Sequence, residues 1–269
     1  MENLAQTAAL KEVSLSVGFN ELYQLGRDQL DHLWETEYKD KLPRDDQKPP
    51  FTPLIEQIDG ASVPVPSATP LTNVRRWFMS SEGNEVLQVQ RNWFAHNWRR
   101  TGVGVTSSSE LPYPGYKAIR NTFSDSLEMF VGYIDKEELG SFSPLQCEVS
   151  FVHHIPSGDI WNGPEDLSNV LRMFSASPEE KLPGLEGMRL ITKYLMPGPD
   201  GEPRGRLYGG ADTAFSTDGK PSIILTFFAR GLPSEDTVKG VTQFLDIGQE
   251  WVVEGFQDFL TPGILQSLS

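Results

Sequence analysis

Apolar and small polar residues alternate over 13–19 (VSLSVGF), which predicts a strand, because strand side chains point to opposite faces in turn. Residues 28–42 follow with Leu30, Leu33, Trp34 and Tyr38 at helical spacing, with Asp28 placed to cap the helix and Pro43 to end it. Seven prolines between residues 43 and 73 predict a long extended connection, which at that length calls for a packing or functional role. Residues 74–80 and 85–98 read as two strands joined at Glu82-Gly83-Asn84, a hairpin signal, and 101–115 as a loop. Between 116 and 138, Ile119, Phe123, Leu127, Phe130, Val131 and Ile134 make one apolar stripe, so a helix is predicted there, stopped by Gly140. Alternation returns over 145–155 (LQCEVSFVHHI). The second half repeats the order: a short helix at 165–174, strands at 188–196, 205–215 and 222–230, and a final helix at about 236–260. The strands are joined by turn-rich PGPDGEP and STDGKP, and the helix carries Val241, Phe244, Leu245, Val252, Phe256 and Phe259 on one side.

This order predicts a single α+β domain over 1–269, with pseudo-duplicated β-α-β(2-3)-α halves at about 10–140 and 141–269. The strands would form a curved antiparallel sheet, saddle-like or helix-grip-like, with helices on one face. The other face of such a sheet is free to bind.

Three predicted strands give that free face an unusual chemistry. Strict alternation over 85–98 puts Gln88, Gln90, Asn92, Phe94, His96 and Trp98 on one side and Leu87, Val89, Arg91, Trp93, Ala95 and Asn97 on the other. Over 145–155, Gln146, Glu148, Ser150 and His154 oppose Cys147, Val149, Phe151, His153 and Ile155. Over 222–230, Ser222, Thr226 and Arg230 alternate with Ile223, Leu225, Phe227 and Ala229. Amides and indoles are directional hydrogen-bonding groups with flat contact area. Arg91, Arg99 and Arg230 would neutralise an anion, and Trp93 or Trp98 would stack on a base. The candidate ligand-binding set is therefore Gln88, Gln90, Arg91, Trp98, Arg99, Thr226 and Arg230. His96 and His154, if their strands are neighbours, would meet with Glu148 as orienting carboxylate. Asp246 is the alternative to Glu148 in that role, and the histidines with Glu148 are the candidate catalytic residues for acid–base or metal-assisted chemistry. His153 falls in the apolar phase.

Composition narrows the classes. The 269 residues carry 23 Lys plus Arg against 37 Asp plus Glu, a formal charge of −14. Extended nucleic-acid binding and anionic membranes are disfavoured by that sign. Cys147 is the one cysteine, so an intramolecular disulfide and a zinc site built on cysteine pairs are excluded, and no other metal set stands out. The N-terminus has no secretory pattern and no run of about 18 apolar residues occurs, which predicts a cytoplasmic protein. No Walker loop, GxGxxG, GxSxG or HExxH is present, and no cofactor is indicated. Charge is uneven: residues 61–109 hold five arginines and two acids, while 232–269 hold six acids and one lysine. Asp246, Glu250, Glu254 and Asp258, four apart, form a carboxylate ridge on the last helix. Such a ridge is a solvated face, or it docks on a partner or on the arginine-rich strands. Three functions follow: a module binding a small anionic ligand, nucleotide or protein partner; an enzyme using His96, His154 and Glu148; or a structural subunit docking through its last helix. A homo-oligomer is compatible with each.

The segments RRWFMSSEGNEVLQVQRNWFAHNWR, PLQCEVSFVHHI, LTFFARG and FLDIGQEWVVEGFQDFLT, in this order, resemble a sporadically distributed family of bacterial proteins of unknown function and about this length. The QxQRxxFxHNWR and QCExxxxxHI motifs are its most specific parts. The family typically has a histidine in the last helix where this chain has Gln249, before Glu250. The departure argues against proton transfer or metal binding at that position. The resemblance implies a single-domain cytosolic protein and supplies no activity. Its patchy distribution implies an accessory gene, phage defence being one such role.

Overall fold

The computed structural model describes residues 9–56, 63–64, 74–103, 110–175, 184–198, 201–215 and 219–268. The chain opens with β1 (Leu10–Phe19) and α1 (Arg27–Leu33), which widens into a single π turn over Trp34–Tyr38. Next come β2 (Arg44–Lys48), the two-residue strands β3 (Leu54–Ile55) and β4 (Val63–Pro64), then β5 (Arg75–Met79), β6 (Glu85–Gln90), β7 (Trp93–Arg99) and α2 (Tyr116–Lys136). The second run is β8 (Pro144–Pro156), a 3-10 turn at Pro164–Asn169, β9 (Arg189–Pro197), β10 (Pro203–Phe215), β11 (Pro221–Gly231), α3 (Val238–Phe259) and α4 (Pro262–Leu268). Nine strands form one sheet in the order β2-β5-β6-β7-β1-β8-β11-β10-β9, and every neighbouring pair is antiparallel. The protein is thus α+β with an antiparallel sheet.

Several expected elements change. The first helix begins one residue earlier, at Arg27, and Gly26 rather than Asp28 is its N-cap; the Gln29 carboxamide accepts from the Gly26 amide at 3.2 Å. Residues 44–48, expected in the extended connection, form β2 at the sheet edge. Their sequence, RDDQK, carries no apolar alternation, because an edge strand can pair by backbone alone and keep charges outward. Of the expected connection, 57–62 and 65–73 lie outside the described residues, as do 104–109 of the loop expected at 101–115. The short helix at 165–174 reduces to the 3-10 turn.

The largest correction is at 85–98, which is two strands and not one. Arg91 and Asn92 turn the chain, and Gln90 pairs with Trp93. Among the described residues only Glu138 has a positive φ outside glycine, so this turn lacks the left-handed pair that an Asn-Gly signal announces. A two-residue turn reverses the phase of alternation. Gln88 and Gln90 therefore share a face with Trp93, Ala95 and Asn97, while Phe94, His96 and Trp98 join Leu87 and Val89 on the other.

The helices cover that second face. Phe94 meets Phe123 and Phe130 of α2 at ring-centre distances of 5.9 and 5.2 Å. α3 crosses β8 and β11 at Gly248, where a Cβ would lie 2.7 Å from Val149 Cγ1. Asp246 joins the two helices: it accepts from Arg120 Nε and Nη2 at 3.2 and 3.0 Å and from the Tyr116 hydroxyl at 3.0 Å. Glu250, Glu254 and Asp258 of the carboxylate ridge stay exposed. No helix among the described residues is long and apolar enough to cross a membrane.

Candidate ligand-binding site

The helix-free face has two chemically different ends. On β5, β6, β7 and β1 polar side chains are linked to one another in a row. Arg75 Nη1 donates to Gln88 at 3.3 Å, Gln88 Nε2 to Asn97 at 2.7 Å, and Asn97 Nδ2 to Glu12 at 2.7 Å, with Arg99 3.5 Å from the same carboxylate. Gln88 thus belongs to a hydrogen-bonded chain across four strands and Arg99 is ion-paired at its end, an internal use for both. Arg91 is buried in the turn, donating to Glu21 at 3.3 Å and to the Tyr23 carbonyl at 3.4 Å. Trp98 is buried under the helices and lies on the wrong face for a ligand here.

The catalytic constellation does not assemble. His96 is buried beneath the helices, and its Nε2 is 3.7 Å from Glu85, beyond hydrogen-bond reach. The ring beside it holds the Glu85 carboxyl below its ordinary value. His154 is exposed on the opposite face, its pKa lowered by partial burial and by Lys11. Glu148, on that same face, lies six residues along β8 from His154, about 20 Å at strand rise, and pairs with Arg230. No cluster of three or more His, Cys, Asp or Glu residues fit to hold a metal occurs among the described residues.

A segment of chain crosses this face. Gln90, fully buried, donates to the Phe51 carbonyl at 2.9 Å and accepts from the Phe51 amide at 3.3 Å. The Phe51 ring packs edge-on against Trp93 and beneath Arg75. Further along, the Glu56 amide donates to Gln146. The Glu56 side chain is fully buried against Arg206, the Tyr208 hydroxyl (2.8 Å) and Arg230 (4.0 Å). Residues 49–56 therefore form a strap pinned at both ends.

Beyond the strap, side chains of β11, β10 and β9 stand in rows fixed by register. The rows are Arg230–Arg206–Leu195, Phe228–Tyr208–Lys193, Thr226–Gly210–Ile191 and Ile224–Asp212–Arg189. In the first, two guanidiniums stand directly opposite, and Glu56 and Glu148 offset their repulsion. In the second, Tyr208 and Phe228 stack with centres 4.4 Å apart, Arg230 lies 5.0 Å over Phe228 and Lys193 5.3 Å over Tyr208. The third row lacks its central side chain. A groove of about 470 Å³ opens there, between the aromatic pair and the Asp212–Arg189 ion pair, lined also by Ile191, Ile224 and Thr226. Of the expected ligand-binding residues, Thr226 and Arg230 line this groove. Arg206, Tyr208, Gly210 and Lys193 were not expected, although alternation over 205–215 puts the first three on one face. Glu56, alone in a proline-rich stretch, carries no such signal.

No family model matches the chain, and no curated protein does. Among solved structures the chain is similar to the di-domain ARO/CYC StfQ from the steffimycin biosynthetic pathway. Identity is 11%, the match covers 91% of this chain and 95% of that one, and the TM-score is 0.19, at which the likeness carries no argument.

Proposed function

We propose that this protein is a binding module that holds a small ligand, a flat apolar body bearing one anionic group, on the helix-free face of β9, β10 and β11. The gap above Gly210 is the observation that carries this reading. It makes a preformed concave site with an apolar floor and few polar groups, the usual character of a small-molecule pocket. Arg189, Lys193 and Arg230 supply cations at its edges. Nucleotides and aromatic acids both belong to the ligand class. The strand order supports a duplicated origin: β1 pairs with β7, β8 pairs with β11, and β1 and β8 meet at the centre. A saddle-like curvature would deepen the helix-free face.

The test is a fluorescence titration with 1-anilinonaphthalene-8-sulfonate, which joins a flat body to one anion. Wild type is expected to bind it, and Gly210→Leu, which fills the gap, to bind at least tenfold more weakly with unchanged circular dichroism. Equal binding by both proteins, or no binding by wild type, overturns the reading.

A further inference from the structure

The ion cluster at the end of the groove draws its members from the sheet and from the strap. Three of its members, Glu148, Arg206 and Arg230, are fixed on strands of the sheet. The fourth, Glu56, arrives on the strap, 150 residues away from Arg206 in sequence. Two guanidiniums and a phenol hydroxyl converging on one carboxylate make a receptor for that group, since charge-assisted donors are the strong ones. The receptor also adjoins the groove: Tyr208 donates to Glu56 through its hydroxyl and lines the groove with its ring, and Arg230 contributes to both.

We infer that Glu56 is the internal occupant of a carboxylate-binding site, and that an external carboxylate attached to a flat body in the groove takes its place and releases the strap. This deepens the groove reading and rests on it. The occupant sets the ligand class: a side-chain carboxylate holds the site, so an external carboxylate is the group that matches its donors. The strap is held by non-covalent contacts: Phe51 on Gln90, Trp93 and Arg75, the short β3–β4 pairing, and Glu56 on Gln146 and the ion cluster. An internal competitor lowers apparent affinity by the fraction of time that it holds the site.

The probe is 2-naphthoate, followed by its fluorescence. Glu56→Gln is expected to bind it at least tenfold more tightly than wild type. Phe51→Ala, which loosens the strap and leaves the ion cluster intact, is expected to shift affinity in the same direction. In wild type, saturation with 2-naphthoate is expected to speed chymotryptic cleavage after Phe51 several-fold, read by mass spectrometry. Binding that Gly210→Leu abolishes, with wild-type affinity in both strap variants and unchanged protection at Phe51, overturns this inference and leaves the groove reading standing. No binding by wild type or by Glu56→Gln overturns both.

Discussion

His153 shows how one buried group sets the response to acid. It lies under α3 with its ring centre 4.4 Å from that of Phe256, and neither ring nitrogen has a hydrogen-bond partner among the described residues. Burial, with His154 beside it, pushes its pKa from 6.5 down to about 3. The unfolded chain takes up this proton below about pH 6.5, and the folded chain only near 3. Stability is therefore lost as pH falls through that window, at about 1.4 kcal/mol per pH unit, and is untouched by this group above it. Between pH 7 and 5 the loss is about 2 kcal/mol. His153→Leu removes it without leaving a buried polar group unpaired. Urea denaturation at both pH values is expected to show the variant losing about 2 kcal/mol less than wild type, and an equal loss in both proteins rejects this account. His153 was legible in the sequence because it sits in mid-strand, where alternation holds. His96 was not, because a turn that needs no glycine reversed the phase just before it.

At the scale of elements, close approach matters more than propensity. Gly248 lies inside α3, where glycine costs about 1 kcal/mol relative to alanine. Yet a Cβ there would lie 2.7 Å from Val149 Cγ1 and 3.1 Å from the Ala229 Cβ, both on interior strands paired on either side. Overpacking of this kind costs about 1–3 kcal/mol, so the clash outweighs the propensity gain. Gly248→Ala is expected to lower stability by about 1 kcal/mol, measured by chemical denaturation, and an increase would mean that α3 lifts freely from the sheet. The apolar stripes of α2 and α3 were legible because an amphipathic helix over a sheet must present one apolar face. β2 was not, since an edge strand is recognised by its partner and not by its own pattern. The binding site divides in the same way. Thr226 and Arg230 follow from alternation on a long strand, whereas Glu56 reaches its partners through tertiary structure alone.

On the scale of the whole molecule, β1 holds the two runs of strands together. It pairs with β7 on one side and with β8 on the other, and its Val13, Leu15 and Val17 lie fully buried within one continuous core cluster. That cluster runs from α1 to α4, and the Asp246 contacts with Arg120 and Tyr116 tie α2 to α3 across the same junction. With one continuous cluster among the described residues, the two runs should open together. The edges differ, because β2 and β9 each have a neighbour on one side only and carry mostly exposed residues. Native-state hydrogen exchange is expected to find the slowest amides in β1 and β8, opening only with global unfolding, and the fastest strand amides in β2 and β9. If β5–β7 and β9–β11 instead exchanged as separate units, with β1 as fast as either edge, the halves would be independently stable and β1 only a linker. A single slow unit centred on β1 would mean that the groove and the strap rest on a platform that does not deform when the strap lets go.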